Sequence, residues 1–328
     1  MKALVDAWYH DNYLSKLLAP VASLFGVAVA LRRAAYRNGL RPITQLPIPI
    51  IVVGNISVGG TGKTPLVIWL VKALQEAGYR PGIISRGYGG EAATSPMRVV
   101  AISDPAKVGD EPVLLARRCH CPIAVCVDRV AAAHLLVESG ECDILVADDG
   151  LQHYALGRDI EIAVVDGARR FGNGRLLPAG PLREPESRLR DVDCVVTAGN
   201  ALPGEFAMTL HASKALSLCF RTDQRPLSYL AGRQAHAIAG IGNPARFFTM
   251  LRDHGIHVIE HAYPDHFPFQ AHHITFDDGI PVLMTEKDAV KCERFAQDQH
   301  WFIPVEASLT PEFHAKLFNL LKNQAATQ

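Results

Sequence analysis

The segment that most constrains this chain is Ser57-Val58-Gly59-Gly60-Thr61-Gly62-Lys63-Thr64, which follows directly on the apolar run Ile48-Pro49-Ile50-Ile51-Val52-Val53. A strand, a glycine-rich turn and Gly-Lys-Thr together build a cradle for nucleotide phosphates. Backbone N–H groups converge on an anion, Lys63 reaches the terminal phosphates and the Thr64 hydroxyl can hold Mg²⁺. Ser57 stands where the general pattern has its first glycine. Beyond the loop, Val67, Leu70, Val71 and Leu74 recur at helical spacing, Pro65 falls in the first turn and Gly78 is a natural stop. A helix is therefore expected to point its N-terminus at a bound phosphate. The competing reading is a flexible turn before an ordinary helix.

The rest of the chain supports an α/β fold. Strand-like runs at Ile48–Val53, Pro81–Ile84, Ile123–Val127, Ile144–Ala147, Ile160–Val165 and Cys194–Thr197 alternate with helical patterns. This is the signature of a mostly parallel sheet flanked by helices, as in P-loop NTPases. Near residue 200, Asn200-Ala201-Leu202-Pro203-Gly204 reads as a linker, and Ala207–Phe220 as strand material with no helix between. A smaller C-terminal α/β unit follows, with a helix near Pro244–His254 and a terminal helix from Pro311. The expected division is an N-terminal helical segment over 1–38, a P-loop core over 39–200 and the smaller unit over 201–328.

Lys+Arg and Asp+Glu are equal at 33 each, so no overall basic field points to nucleic acid as a partner. Seven cysteines in irregular spacing suit reduced thiols, and no C-x-x-C pair signals zinc or redox work. The N-terminus carries an apolar helical stripe: Leu14, Leu17, Leu18, Val21, Leu24, Phe25, Ala28 and Leu31. Trp8, Tyr9 and Tyr13 precede it, and Arg32, Arg33, Tyr36 and Arg37 follow. Leu17 to Leu31 would span roughly 22 Å as a helix, against about 30 Å of hydrocarbon. Aromatic and basic flanks favour a helix lying in the membrane interface. A helix packed on the protein's own core is the alternative. A signal peptide, with Ala28-Val29-Ala30 as cleavage site, fits poorly with Asp6, Asp11 and a site that needs cytosolic ATP.

Ile144-Leu145-Val146-Ala147-Asp148-Asp149-Gly150 is an apolar strand that ends in two carboxylates. In phosphate-loop proteins such a carboxylate completes the Mg²⁺ shell, directly or through water. Spacing does not say which aspartate does so. Ser85-Arg86-Gly87-Tyr88-Gly89-Gly90 is a candidate ligand-binding loop, and Asp110 before a helix is a general base or a cap. The Gly- and Pro-rich loop Gly172–Pro185 carries Arg175 and Arg183, suited to phosphate or carboxylate. His261, His266, His272 and His273 match no zinc spacing, and Gly240-Ile241-Gly242-Asn243-Pro244 is a weak likeness of a dinucleotide turn.

Taken together, the short blocks resemble those of the tetraacyldisaccharide 4'-kinases, the lipid A 4'-kinases of Gram-negative bacteria. The resemblance runs over nearly the whole chain. It rests on Gly54–Pro65, Ser85–Gly89, Gly109-Asp110-Glu111-Pro112, Asp148-Asp149-Gly150-Leu151-Gln152-His153, Leu177–Glu184, Tyr263-Pro264-Asp265-His266-Phe267 and Thr285–Lys291. Ser57 is usual in that family. The resemblance implies transfer of the ATP γ-phosphate to the 4'-hydroxyl of a tetraacylated glucosamine disaccharide 1-phosphate at the cytoplasmic face of the inner membrane. It further implies that Asp110 acts as base with His266. Ser57, Val58, Gly59, Gly60, Thr61, Gly62, Lys63 and Thr64 would then hold ATP, with Thr64 and Asp148 or Asp149 on Mg²⁺. Arg183 and Glu184 are expected near the reacting groups, and Arg86, Tyr88, Gln152 and His153 are candidates for substrate contact. A nucleotide-hydrolysing switch and a nucleotide-binding scaffold are the other classes open at this point.

Overall fold

The computed structural model describes residues 8–9, 12–88, 90 and 94–325; Asp6, Asp11 and Gly89, named above, lie outside them. The strands in the first part of the chain are β1 (Ile50–Gly54), β2 (Pro81–Ser85), β3 (Met97–Val99), β4 (Ile123–Val125), β5 (Ile144–Asp148), β6 (Ile160–Asp166), β7 (Cys194–Ala198) and β8 (Phe206–His211). Then come β9 (Lys214–Ser217), β10 (Gln224–Pro226), β11 (Gln234–Ala239), β12 (His257–Ala262), β13 (Val282–Thr285), β14 (His300–Ile303) and β15 (Glu306–Leu309). The principal helices are α1 (Tyr13–Arg37), α2 (Lys63–Glu76), α3 (Asp110–Cys119), α4 (Arg129–Glu138), α5 (Pro244–Asp253), α6 (Glu286–Cys292) and α7 (Pro311–Ala325).

Nine strands form one sheet in the order β15-β8-β7-β6-β1-β5-β2-β4-β3. Its centre is parallel, and only the edge pairs β15–β8 and β3–β4 are antiparallel. β1, β2 and β5 are buried at every position, as expected where helices cover both faces. On one face Leu66, Val67, Leu70, Val71 and Leu74 of α2 pack with Val113, Leu115, Phe313, Leu317 and Leu321. On the other, Ala132, Ala133 and Leu136 of α4 cover Ile50, Val52, Ile84 and Ala147.

The second sheet has the order β10-β9-β14-β13-β11-β12, with β14, β13, β11 and β12 parallel. It lies wholly between residues 214 and 303. The chain then returns: β15 pairs with β8, and α7 packs into the core of the first sheet. The first sheet therefore takes two strands and the terminal helix from beyond residue 200.

α1 presents two stripes. Ser15, Ala22, Gly26 and Val29 lie toward the body: Ser15 and Ala22 are buried, a Cβ on Gly26 would come 2.8 Å from Leu176, and Val29 lines the main cleft. Leu17, Val21, Leu24, Val27 and Leu31 on the outside are 51–76% exposed. The N-cap Asn12 accepts from Ser15 N–H, and the helix is fastened to the body by Arg33–Asp191 at 2.7 Å and by Arg32 donating to the Gln152 carbonyl at 3.3 Å. Most of the large apolar side chains thus face outward, with Phe25 turned to the cleft, which makes α1 a candidate membrane-associating helix.

Candidate active site

β1 ends mid-sheet, with β5 on one side and β6 on the other. A crevice opens at the carboxyl end of such a strand, where connections leave in opposite directions. The phosphate loop fills that position. Gly59 (φ 103°) and Gly62 (φ 97°) take left-handed backbone that a side chain would strain. Gly62 is the N-cap of α2 and offers it no side chain, so the first N–H groups of the helix are left for a ligand. The loop is braced from behind. Ser57 forms an antiparallel bridge with Leu182, Val58 N–H donates to the Pro181 carbonyl at 2.8 Å, and Arg183 N–H donates to that of Ile56 at 2.7 Å.

Lys63 Nζ lies 3.4 Å from Asp149, and Arg183 binds the same carboxylate at 3.0 Å. Asp149 (φ 50°) follows directly on β5, whose last residue, Asp148, is buried and accepts from Ser85 Oγ at 3.3 Å. Burial, then the Glu111 and Asp149 carboxylates, push the Asp148 carboxyl up to about 7. Burial alone would raise Asp149 too, but Lys63 and Arg183 outweigh it and draw it down to about 2. Two carboxyl groups and the Thr64 hydroxyl are hard oxygen donors of the kind Mg²⁺ takes together with substrate phosphates. Among the described residues no group of three or more His, Cys, Asp or Glu is placed to cage a metal by itself.

Across the cleft stands His266, in left-handed backbone (φ 58°). Its Nδ1 is 3.1 Å from Asp110, the first residue of α3, which is 3% exposed. Burial on its own would raise the Asp110 carboxyl. The hydrogen bond with His266 and the ammonium groups of Lys287 and Lys291 prevail and hold it below its ordinary value. His266 lines the cleft while Asp110 sits behind it, and the Tyr88 ring packs edge-on against the imidazole at 4.9 Å.

One cleft of about 1240 Å³ connects these parts. Val58–Thr64, Asp148, Asp149, Arg183 and His266 line it, as do Phe25, Val29 and Arg32 of α1. The remaining expected residues divide. Arg86 and Tyr88 are exposed at the cleft. Gln152 and Glu184 also line it but are tied to one another at 2.7 Å, with Tyr154 donating to Glu184 and Gln152 to the Asn55 carbonyl. His153 sits near Arg129 and Arg158; burial first, then those cations, lower it to about 4. The other histidines do not gather: His261 pairs with His236 at 2.9 Å, and His272 lies tilted against His273 with ring centres 3.9 Å apart.

Several cleft residues carry no local sequence signature. Arg129, 7% exposed, donates to the Asp149 carbonyl at 3.3 Å, and its Nε has no hydrogen-bond partner among the described residues. Arg169 donates to the carbonyls of Gly60 (2.7 Å) and Gly242 (3.4 Å), joining the phosphate loop to the Gly240–Pro244 turn. A Cβ on Gly242 would meet Gly60 N at 2.9 Å, so that turn is shaped by the loop it abuts. Lys287 reaches Glu111 at 2.8 Å and His266 at 3.3 Å. Its only prior signal was the Thr285–Lys291 block.

A phosphate loop that shares its cleft with a carboxylate–imidazole pair defines a kinase of the phosphate-loop class. Residues 14–322 match the family model for tetraacyldisaccharide-1-P 4'-kinase. Relatives described as tetraacyldisaccharide 4'-kinase occur in Nitrosococcus oceani, 54% identical over 97% of this chain and 94% of that protein, and in Aeromonas hydrophila, 50% identical over 98% of each. A crystal structure of LpxK from Aquifex aeolicus in complex with ATP matches with a TM-score of 0.80 at 28% identity, covering 94% of this chain and 99% of that one. The chain belongs to the tetraacyldisaccharide-1-P 4'-kinase family.

Proposed function

We propose that this kinase transfers the γ-phosphate of ATP to the 4'-hydroxyl of a tetraacylated glucosamine disaccharide 1-phosphate, the lipid A precursor, with His266 receiving the hydroxyl proton. The observation that carries the reading is the single cleft joining the Lys63 cradle, the His266–Asp110 pair and the inner side of α1. Acyl chains held beside α1 would present the sugar to the cleft from the membrane. In this reading α1 rests on the cytoplasmic face of the inner membrane. Residues 39–200 carry the nucleotide, and residues 201–328 bring His266 to it.

The acceptor O–H bond breaks as its proton passes to His266 Nε2, while Asp110 holds Nδ1 and stabilises the imidazolium that forms. The freed oxygen bonds to the γ-phosphorus, and the bond from that phosphorus to the β–γ bridging oxygen breaks, releasing ADP. The amides of Gly59–Thr64 and the Lys63 ammonium meet the charge that develops on the transferring group. Mg²⁺, when bound through Thr64 and Asp148 or Asp149, neutralises phosphate charge. Arg183 moves from Asp149 to phosphate oxygens; Glu184 and Gln152 hold the loop that carries it. Arg86, Tyr88 and His153 contact the acceptor around its hydroxyl and phosphate.

Incubation with γ-labelled ATP and the acylated disaccharide 1-phosphate tests this reading. Label is expected in the lipid; release only to water would refute it.

A further inference from the structure

The Nδ1 side of His266 is accounted for by Asp110, but its other nitrogen has a partner that the reaction scheme does not use. Lys287 Nζ lies 3.3 Å from Nε2, and the same ammonium holds Glu111 at 2.8 Å and Asp265 at 3.1 Å. An ammonium group has three hydrogens and no lone pair, so it can only donate. Nε2 must then accept, and Nδ1–H must donate to Asp110. The ammonium at 3.3 Å is nearer to Nε2 than the Asp265 carboxylate, 3.7 Å away, so the contact that favours an accepting Nε2 is the shorter of the two.

We infer that Lys287 is a positioning residue that keeps His266 Nε2 an unprotonated acceptor until the substrate hydroxyl takes the ammonium's place. The inference rests on the reading of His266 as proton acceptor. Lys287 is suited to the task because it stays charged. Burial by itself would lower it, but Glu111, Asp110 and Asp265 together raise it above its ordinary value. A proton on Nε2 would face this ammonium directly, and like charges at such a distance oppose one another. The groups that face the ring are Asp110 and Glu111 from α3, Lys287 and Lys291 from α6, Asp265 from its own loop and Tyr88 from the loop after β2. Lys291, 3.6 Å from Asp110, holds the far side of the pair. Lys287 is the cation placed on the nitrogen that must receive the proton.

Lys287→Met tests this with two readouts. One is the pH profile of kcat/KM for transfer to the acylated disaccharide. The other is the titration of His266 in the substrate-free protein, followed by ¹⁵N-histidine NMR and assigned by its loss in His266→Gln. Removing the ammonium should move the acidic limb and the NMR midpoint upward by about one pH unit, and so cost up to about tenfold in activity well below the limb and little above it. Lys287→Arg should keep both close to the wild-type values, with ATP affinity unchanged in each variant. If the Met variant is not recovered folded, Lys287→Gln, which keeps a donor without the charge, should show the same upward shift. Unmoved midpoints in the neutral variant, or an equal shift in the arginine variant, overturn the inference. A moved NMR midpoint with an unmoved kinetic limb keeps Lys287 in its place and removes His266 from proton transfer, so the two readings fail separately.

Discussion

Among single residues, three carboxylates, two buried and one half-buried, carry different tasks. Asp110 is bound to an imidazole that lines the cleft, so Asp110→Asn should lower kcat on the order of 10²- to 10⁴-fold with little change in ATP affinity. Lys63→Ala should lower kcat by a further class of effect, on the order of 10²- to 10³-fold, together with weaker ATP binding. Steady-state kinetics and ATP titration separate the two; wild-type turnover in the Asp110 variant would remove it from the proton path. Asp288 is wholly buried but bonds Thr285 Oγ1 at 2.6 Å, Gly240 N–H at 2.8 Å and Lys291 at 2.9 Å, with no place in the cleft. Asp288→Ala should therefore cost about 3 kcal/mol of stability and lower kcat less than Asp110→Asn does. Glu205 gives a pH signature. Burial alone raises it, but the Arg170 fork at 2.7 and 2.8 Å, the Leu202 N–H and the Thr197 hydroxyl bring it down to about 2, below the ordinary 4.5. A folded value below the ordinary one stabilises the protein fully above 4.5 and loses that contribution as pH falls toward 2. Wild type should exceed Glu205→Gln by about 1–2 kcal/mol at neutral pH, with the gap narrowing below pH 4.5 and closing as pH approaches 2 in denaturant melts.

Secondary-structure elements show what a local pattern can and cannot reveal. α1 was ambiguous in sequence because an apolar helical stripe reads the same whether it faces a core or a bilayer. The structure turns Leu17, Leu24 and Leu31 outward at 66–76% exposure and gives the body Ser15, Ala22 and Gly26, small residues that allow close approach. Replacing those three leucines by serine should leave the fold and ATP affinity intact. Each loses about 1.5 kcal/mol of apolar burial at a membrane, so vesicle binding should drop at least about tenfold; unchanged binding to phospholipid vesicles would place the anchor elsewhere. The β1–loop–α2 unit, by contrast, was legible because all its determinants are neighbours: the strand ends, two glycines take left-handed backbone and Lys63 opens the helix. β15 was not. Glu306–Leu309 is short and half-exposed, and it becomes a strand only by pairing with Met208–His211, roughly a hundred residues earlier. The block Thr285–Lys291 flagged Lys287, but its contact was unreadable for the same reason, since its partner Glu111 lies 176 positions away.

In the whole molecule, the question is what holds His266 against the nucleotide half. α6 lies along α3 through a row of ion pairs: Glu286–Arg118 at 2.7 Å, Lys287–Glu111 at 2.8 Å, Lys291–Asp110 at 3.6 Å and, one turn on, Glu293–Arg117 at 2.7 Å. The middle pairs reach Asp110 and His266; of the outer two, Glu286 also lines the cleft while Arg118 extends to Glu306 at 3.6 Å, and Glu293 is shared with Arg221 at 2.6 Å. Glu286 is largely buried, and its carboxyl is raised by burial despite Arg118, so the pair matters more than an exposed one would. Arg118→Ala would strand a buried carboxylate and should cost about 2–3 kcal/mol of stability. Because α6 also carries Lys287, the loosened contact should widen the geometry around His266 and lower kcat about tenfold, while ATP affinity, set by the loop at β1, stays the same. The double variant Arg118→Met, Glu286→Gln removes both charges, so it should recover at least about 1 kcal/mol of the stability lost in the single variant. If it also recovers kcat, the row of pairs sets the distance between the two halves of the site. A stability loss with unchanged kcat would instead leave the pairs as fasteners, and the position of His266 would have to be set by the Asp110 contact and its own loop.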